Sequence, residues 1–125
     1  MSRTLVEDPR VRRLSAICAR LLEVEQRVHA DFIDYRVRTK LFAYFLNGHD
    51  PDGIVSICVK SELGENVDRA GAQPDRYYLP PYIGKKGWFG IRVDRGKIDW
   101  TDIEGAVKLS YGQVAPKKLL KQLQW

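Results

Sequence analysis

The feature that most constrains the fold is a change of apolar period along the chain. Over residues 33–60, apolar side chains recur at every second position in three segments separated by turn residues. Ile33, Tyr35 and Val37 alternate with Asp34, Arg36 and Arg38. Residues 41–46 form a second, more apolar segment, and Val55, Ile57 and Val59 share one face of residues 54–60. Strands send successive side chains to opposite faces, so the pattern predicts half-buried strands. Thr39-Lys40 reads as a tight turn between the first two, and the Asn-Gly-His-Asp-Pro-Asp-Gly run of residues 47–53 as a longer one. Short connections between consecutive strands imply an antiparallel meander.

On either side the period becomes helical. Asp8-Pro9 is a strong helix start, because Asp caps free amides and Pro is preorganised for the first turn. Val11, Leu14, Ile17, Cys18, Leu21 and Leu22 then recur at helical spacing, which predicts one amphipathic helix over residues 9–23. Ser61 is placed to cap a short helix over residues 62–70, which Gly64 weakens. Strand character returns at residues 77–79 and 88–93, with Gly84-Lys85-Lys86-Gly87 between them as an exposed loop tip. Asp99 caps a further helix whose inward stripe is Ile103, Ala106, Val107, Tyr111 and Val114. Pro116 opens a last helix, with Leu119, Leu120 and Leu123 inward and Lys117, Lys118 and Lys121 outward. The order helix, strands, helices predicts an α+β fold: an antiparallel β-sheet flanked on one face by an N-terminal helix and C-terminal helices.

Length and composition fit one domain, residues 1–125. A chain of 125 residues buries a little under ~70% of its unfolded surface, so it folds without disulfide or metal. The longest apolar run, residues 41–46, is far short of the ~20 residues of a membrane helix. The polar Met-Ser-Arg start is expected to carry no signal segment. A cytoplasmic location is expected, and with it two free buried thiols at Cys18 and Cys58, which form no C-x-x-C pair. Twenty-one Lys and Arg against sixteen Asp and Glu give a net charge of +5, which suits anionic partners.

No catalytic or metal motif is present. His29 and His49 lack a second His at i+3 or i+4, and residues 50–53 resemble a calcium loop only superficially, with the Gly too early and no closing Glu. No serine sits in a G-x-S-x-G elbow. The chain is therefore expected to be no enzyme and to carry no cofactor. Basic residues do lie close to aromatics: Arg76 before Tyr77 and Tyr78, and Lys85 and Lys86 before Trp88 and Phe89. Nucleic-acid binders use such mixtures, cations neutralising phosphates and rings stacking on bases. Aromatics on alternating strands also serve as core.

Four segments together resemble the MmcQ/YjbR family of small bacterial proteins. They are the opening helix, Arg36-Val-Arg-Thr-Lys-Leu-Phe-Ala-Tyr44, Tyr82-Ile-Gly-Lys-Lys-Gly-Trp-Phe89 and Ser110-Tyr-Gly-Gln-Val-Ala-Pro-Lys-Lys118. The resemblance implies a frataxin-like (CyaY-like) fold and DNA binding through two projecting hairpin wings. In this chain the wings would be the Arg36, Arg38, Lys40 hairpin and the Lys85, Lys86 loop, with Lys117, Lys118 and Lys121 as further phosphate contacts. The 47–53 insert is longer than a tight hairpin needs. Iron on a frataxin-like fold is associated with an acidic first helix. Here that helix carries Arg10, Arg12, Arg13 and Arg20, which repel a metal cation.

The leading expectation is a weakly selective DNA-binding protein that contacts phosphates. A protein-interaction module using the sheet face or a strand edge is the alternative. A small-molecule binder would need a pocket gathering Tyr77, Tyr82, Trp88 and a buried charge. Asp31, Asp34, Glu62 and Asp75 would weaken the DNA reading if they neutralise the cations.

Overall fold

A computed structural model describes residues 5–123; the polar start and the last two residues lie outside the described part. After a 3-10 turn (Leu5–Glu7) come α1 (Pro9–Cys18), β1 (Val24–Val28), β2 (Phe32–Val37), β3 (Lys40–Asn47), β4 (Val55–Lys60), α2 (Glu65–Ala72) and β5 (Tyr77–Tyr78). A second 3-10 turn (Ile83–Lys86) leads into β6 (Trp88–Arg92), α3 (Trp100–Val114) and α4 (Lys117–Gln122). The strands form one sheet in the order β1-β2-β3-β4-β6-β5, every pair antiparallel. This is the expected α+β architecture.

The details correct the sequence reading in four places. The first helix ends at Cys18 rather than Glu23, its last amides closing onto Ser15 and Ile17. Leu21 continues the apolar spacing because the following turn tucks it into the same core. Residues 24–28 are an edge strand, paired only to β2 and mostly exposed, so it carries no apolar alternation. The β2–β3 turn is Arg38-Thr39, not Thr39-Lys40. Both residues have positive φ (46° and 72°), as a two-residue turn matching the sheet twist requires, and Lys40 opens β3. Ser61 does not cap α2; its hydroxyl donates to the Gly87 carbonyl at 2.9 Å, while Gly64 precedes the helix without a side-chain cap.

One face of the sheet packs against α1 and α3. Leu14, Ile33, Val37, Phe42, Phe45, Ile57, Ile103 and Tyr111 are fully buried there. Each such side chain contributes about 1.5–3 kcal/mol relative to exposure. Ser110 fixes α3 to the sheet: its hydroxyl donates to the Phe42 carbonyl at 2.6 Å and accepts from the Lys60 amide at 2.9 Å. Among the described residues no α-helix covers the opposite face. A smaller cluster of Leu46, Cys58 and Trp88 lies there, flanked by Phe32, Leu41, Tyr44 and Ile83. Trp88 is thus core, as its strand setting suggested, but core of the second face. Gly90 leaves room on this face for the Tyr78 ring, whose hydroxyl bonds Ser56 at 2.6 Å. An alanine there would collide with the ring.

Burial raises the proton affinity of both thiols, up to about 12 for Cys18 and Cys58, and both are free. Among the described residues no helix is long and apolar enough to cross a membrane.

Candidate functional site

The strand registers bring distant cations to one end of the sheet. Val24 pairs with Val37, Val37 with Lys40, and Lys60 with Trp88. The Arg38-Thr39 turn, the start of β3, the end of β4 and the approach to β6 therefore share that end. α3 runs toward it, since its first turn meets β5 through Asp102 and Tyr77 (2.6 Å) and its last turn meets Leu22 through the Tyr111 hydroxyl (2.8 Å). α4 follows directly, and Lys118 lies close enough to Glu23 for its charge to act on that carboxylate.

Two of the predicted contacts are neutralised within the fold. Arg36 Nε donates to Asp34 Oδ1 at 3.0 Å, and the other oxygen of this buried carboxylate meets His29 Nε2 at 2.9 Å. Arg38 grips Glu23 with two hydrogen bonds of 3.0 and 3.1 Å, which hold the Glu23 carboxyl below its usual range. The lysines differ. Lys40, Lys85, Lys86, Lys117, Lys118 and Lys121 are exposed and make no ion pair among the described residues. Lys60, at the end of β4, is half-buried and likewise makes no ion pair among the described residues. Sequence reading passed over it because a single lysine closing a strand carries no signal.

The Lys85-Lys86 segment is not a projecting hairpin tip. It is a 3-10 turn held against the sheet, and the β2–β3 turn is likewise flanked by β1, so neither stands out as a separate wing. Gly87 (φ +95°) lies so close to the Ser61 carbonyl that no side chain fits. Asn66, fully buried, clamps the turn from α2: its amide donates to the Gly84 and Trp88 carbonyls at 2.8 and 3.0 Å, and its oxygen accepts from the Gly64 amide at 3.2 Å. An unpartnered buried amide is costly, so this three-way bonding fixes where the two lysines sit. A lone Asn in a polar stretch gave no hint of that role.

At the opposite end three arginines are paired, while Lys97 is exposed and makes no ion pair among the described residues. Arg92 grips Asp94 at 3.0 Å through two nitrogens, Arg76 lies 3.2 Å from Asp99 and 3.4 Å from Asp102, and Arg95 lies 3.7 Å from Asp75. They line a cavity of about 320 Å³. Asp75 thus neutralises a cation at this end and Asp34 one predicted contact, whereas Asp31 pairs with His49 at 2.9 Å.

The pocket imagined around Tyr77, Tyr82 and Trp88 does not form. Tyr77 belongs to the helix-side core, edge-on to Phe89, and Trp88 lies on the other face. A different groove of about 220 Å³ gathers Tyr82 with Phe32, Tyr44, His49 and Asp50 on the open face. Among the described residues no three His, Cys, Asp or Glu side chains gather as a metal site.

The YjbR family model matches residues 19–113. Comparison with curated proteins finds no match. Among solved structures, the crystal structure of the Deinococcus radiodurans protein DR2400, a DUF419 domain, superposes with a TM-score of 0.68 at 17% identity, covering 87% of this chain and 83% of that one. At that identity the likeness concerns the fold.

Proposed function

The chain belongs to the YjbR family, and from that premise and its lysine-rich end we propose that it is a weakly selective DNA-binding module without catalytic activity. The observation that carries the reading is the convergence of unpaired lysines from four separate segments, namely Lys40, Lys60, the Lys85-Lys86 turn and α4, at one end of the sheet. Free ammonium groups gathered in one place attract a polyanion, and neutralising phosphates releases counterions. Lys85, Lys86, Lys117, Lys118, Lys121 and Lys40 make the contacts. Arg36 and Arg38 contribute less, since each already carries a carboxylate. The proposed contacts come from lysines and involve no groove-reading helix, which accords with weak selectivity. A cytoplasmic location accords with two buried thiols left free.

Titration of a labelled duplex at low ionic strength tests this. Saturable binding that Lys85→Ala/Lys86→Ala weakens about tenfold or more is expected. Absence of binding, or no change in the double variant, removes the proposal.

A further inference from the structure

The groove on the open face differs from the lysine end in shape and in charge. Its walls are aromatic and tilted: Phe32 and Tyr44 lie 6.2 Å apart at 54°, and Phe32 and His49 4.9 Å apart at 54°. Parallel faces grip a flat ring, whereas inclined faces make a concave wall that suits a rounded head group. At about 220 Å³ the groove is smaller than the ~300–1,000 Å³ of sites that enclose drug-sized ligands.

Tyr82 closes this wall under strain. Its φ of 68° and ψ of −55°, with the Ile83 amide donating to the Pro81 carbonyl at 2.8 Å, form a γ-turn of the rare, strained kind. The residue is 89% exposed, so little burial offsets that strain. Strain of this sort clusters where a side chain must be aimed. The rim is acidic. Asp50 lines the groove, and burial together with the charges of Asp52 and Asp31 raises its proton affinity, against an opposing effect of His49. A carboxylate placed against like charges is relieved by a cation, and an anionic ligand is repelled.

Cationic heads bind over aromatic faces because the rings carry negative potential there. We propose that this groove binds a small free quaternary ammonium compound of the choline type, with Phe32, Tyr44 and Tyr82 forming the cage and Asp50 supplying the counter-charge. The site differs in chemistry from the DNA reading, since its ligand is small and cationic, although Tyr82 directly precedes the turn that carries Lys85 and Lys86.

The test is an NMR titration of the intact chain with choline chloride, beside its neutral isostere 3,3-dimethylbutan-1-ol. Saturable shifts in the Phe32, Tyr44 and Tyr82 rings are expected, with the isostere at least about tenfold weaker. Tyr82→Ala should weaken choline about fivefold or more while Tyr82→Phe retains it, and Asp50→Asn should weaken it without unfolding the chain. Equal binding of the isostere would overturn the proposal, leaving an apolar groove only. So would the absence of saturable shifts, shifts with adenine in place of choline, or binding of a trimethyllysine peptide without binding of choline.

Discussion

The two ends of the sheet both carry cations and use them differently. At one end lysines stand free, on the β3 start, the end of β4, the 3-10 turn and α4. At the other, Arg92, Arg76 and Arg95 are each matched to aspartates, and the Arg92 contact holds the Asp94 carboxyl below its usual range. The chemistry of the side chains explains the division. A planar guanidinium fits a carboxylate in two parallel bonds and serves to lock loops, whereas an ammonium on a flexible stem remains hydrated and available. A net charge of +5 therefore understates the polarity of the molecule: Arg76, Arg92 and Arg95 are balanced by aspartates, whereas Lys40, Lys85, Lys86 and Lys118 carry free charge at the other end.

Neutralising the free end should give the largest effect. Lys85→Ala/Lys86→Ala/Lys118→Ala is expected to weaken duplex binding about a hundredfold at 0.1 M salt, measured by fluorescence anisotropy. Next comes Asn66→Ala, which orphans the Gly84 and Trp88 carbonyls. It should cost about 1–3 kcal/mol in urea unfolding and also weaken DNA binding by loosening the lysine turn; unchanged stability would contradict the clamp.

Arg92→Ala sharpens the contrast in the other direction. It should destabilise the fold by about 1 kcal/mol while leaving DNA affinity within about twofold. It should also alter the acid limb of stability. Asp94 has a depressed folded-state pKa, held down by Arg92 and the Val55 amide. Its contribution is present above the ordinary carboxylate range near ~4 and is lost as pH falls through the folded value. Thermal melts of the variant should therefore depend less on pH between about 4 and 2 than those of the parent. The smallest expected change is Glu23→Gln, which releases Arg38 at the lysine end and should tighten DNA about two- to threefold, with little effect on stability because the pair is solvent-exposed.

The legibility of these regions in the sequence follows from burial. β2, β3 and β4 are readable because the helix-side face of each is buried and apolar, so Ile33, Tyr35 and Val37 recur at period two. β1 is not, because it is an edge strand whose side chains are mostly solvated. Nor is the end of α1, where Leu21 keeps helical spacing without being in the helix. The candidate cations were readable as residues, but not as a set. Their convergence depends on register, and their availability depends on which carboxylates the fold brings near, Glu23 for Arg38 and Asp34 for Arg36. Asn66 was invisible because its partners are backbone carbonyls 18 and 22 residues away. The aromatic groove was equally hidden, since Phe32, Tyr44 and Tyr82 come from three separate segments.

The most direct test of the division is the salt dependence of duplex binding in matched triple variants, one from each end. The logarithm of affinity should fall linearly with the logarithm of salt. Its slope should become shallower by about 2.7 when Lys85, Lys86 and Lys118 become alanine, and stay unchanged when Arg76, Arg92 and Arg95 do. Equal changes from the two ends, or no change from the lysines, would contradict the account.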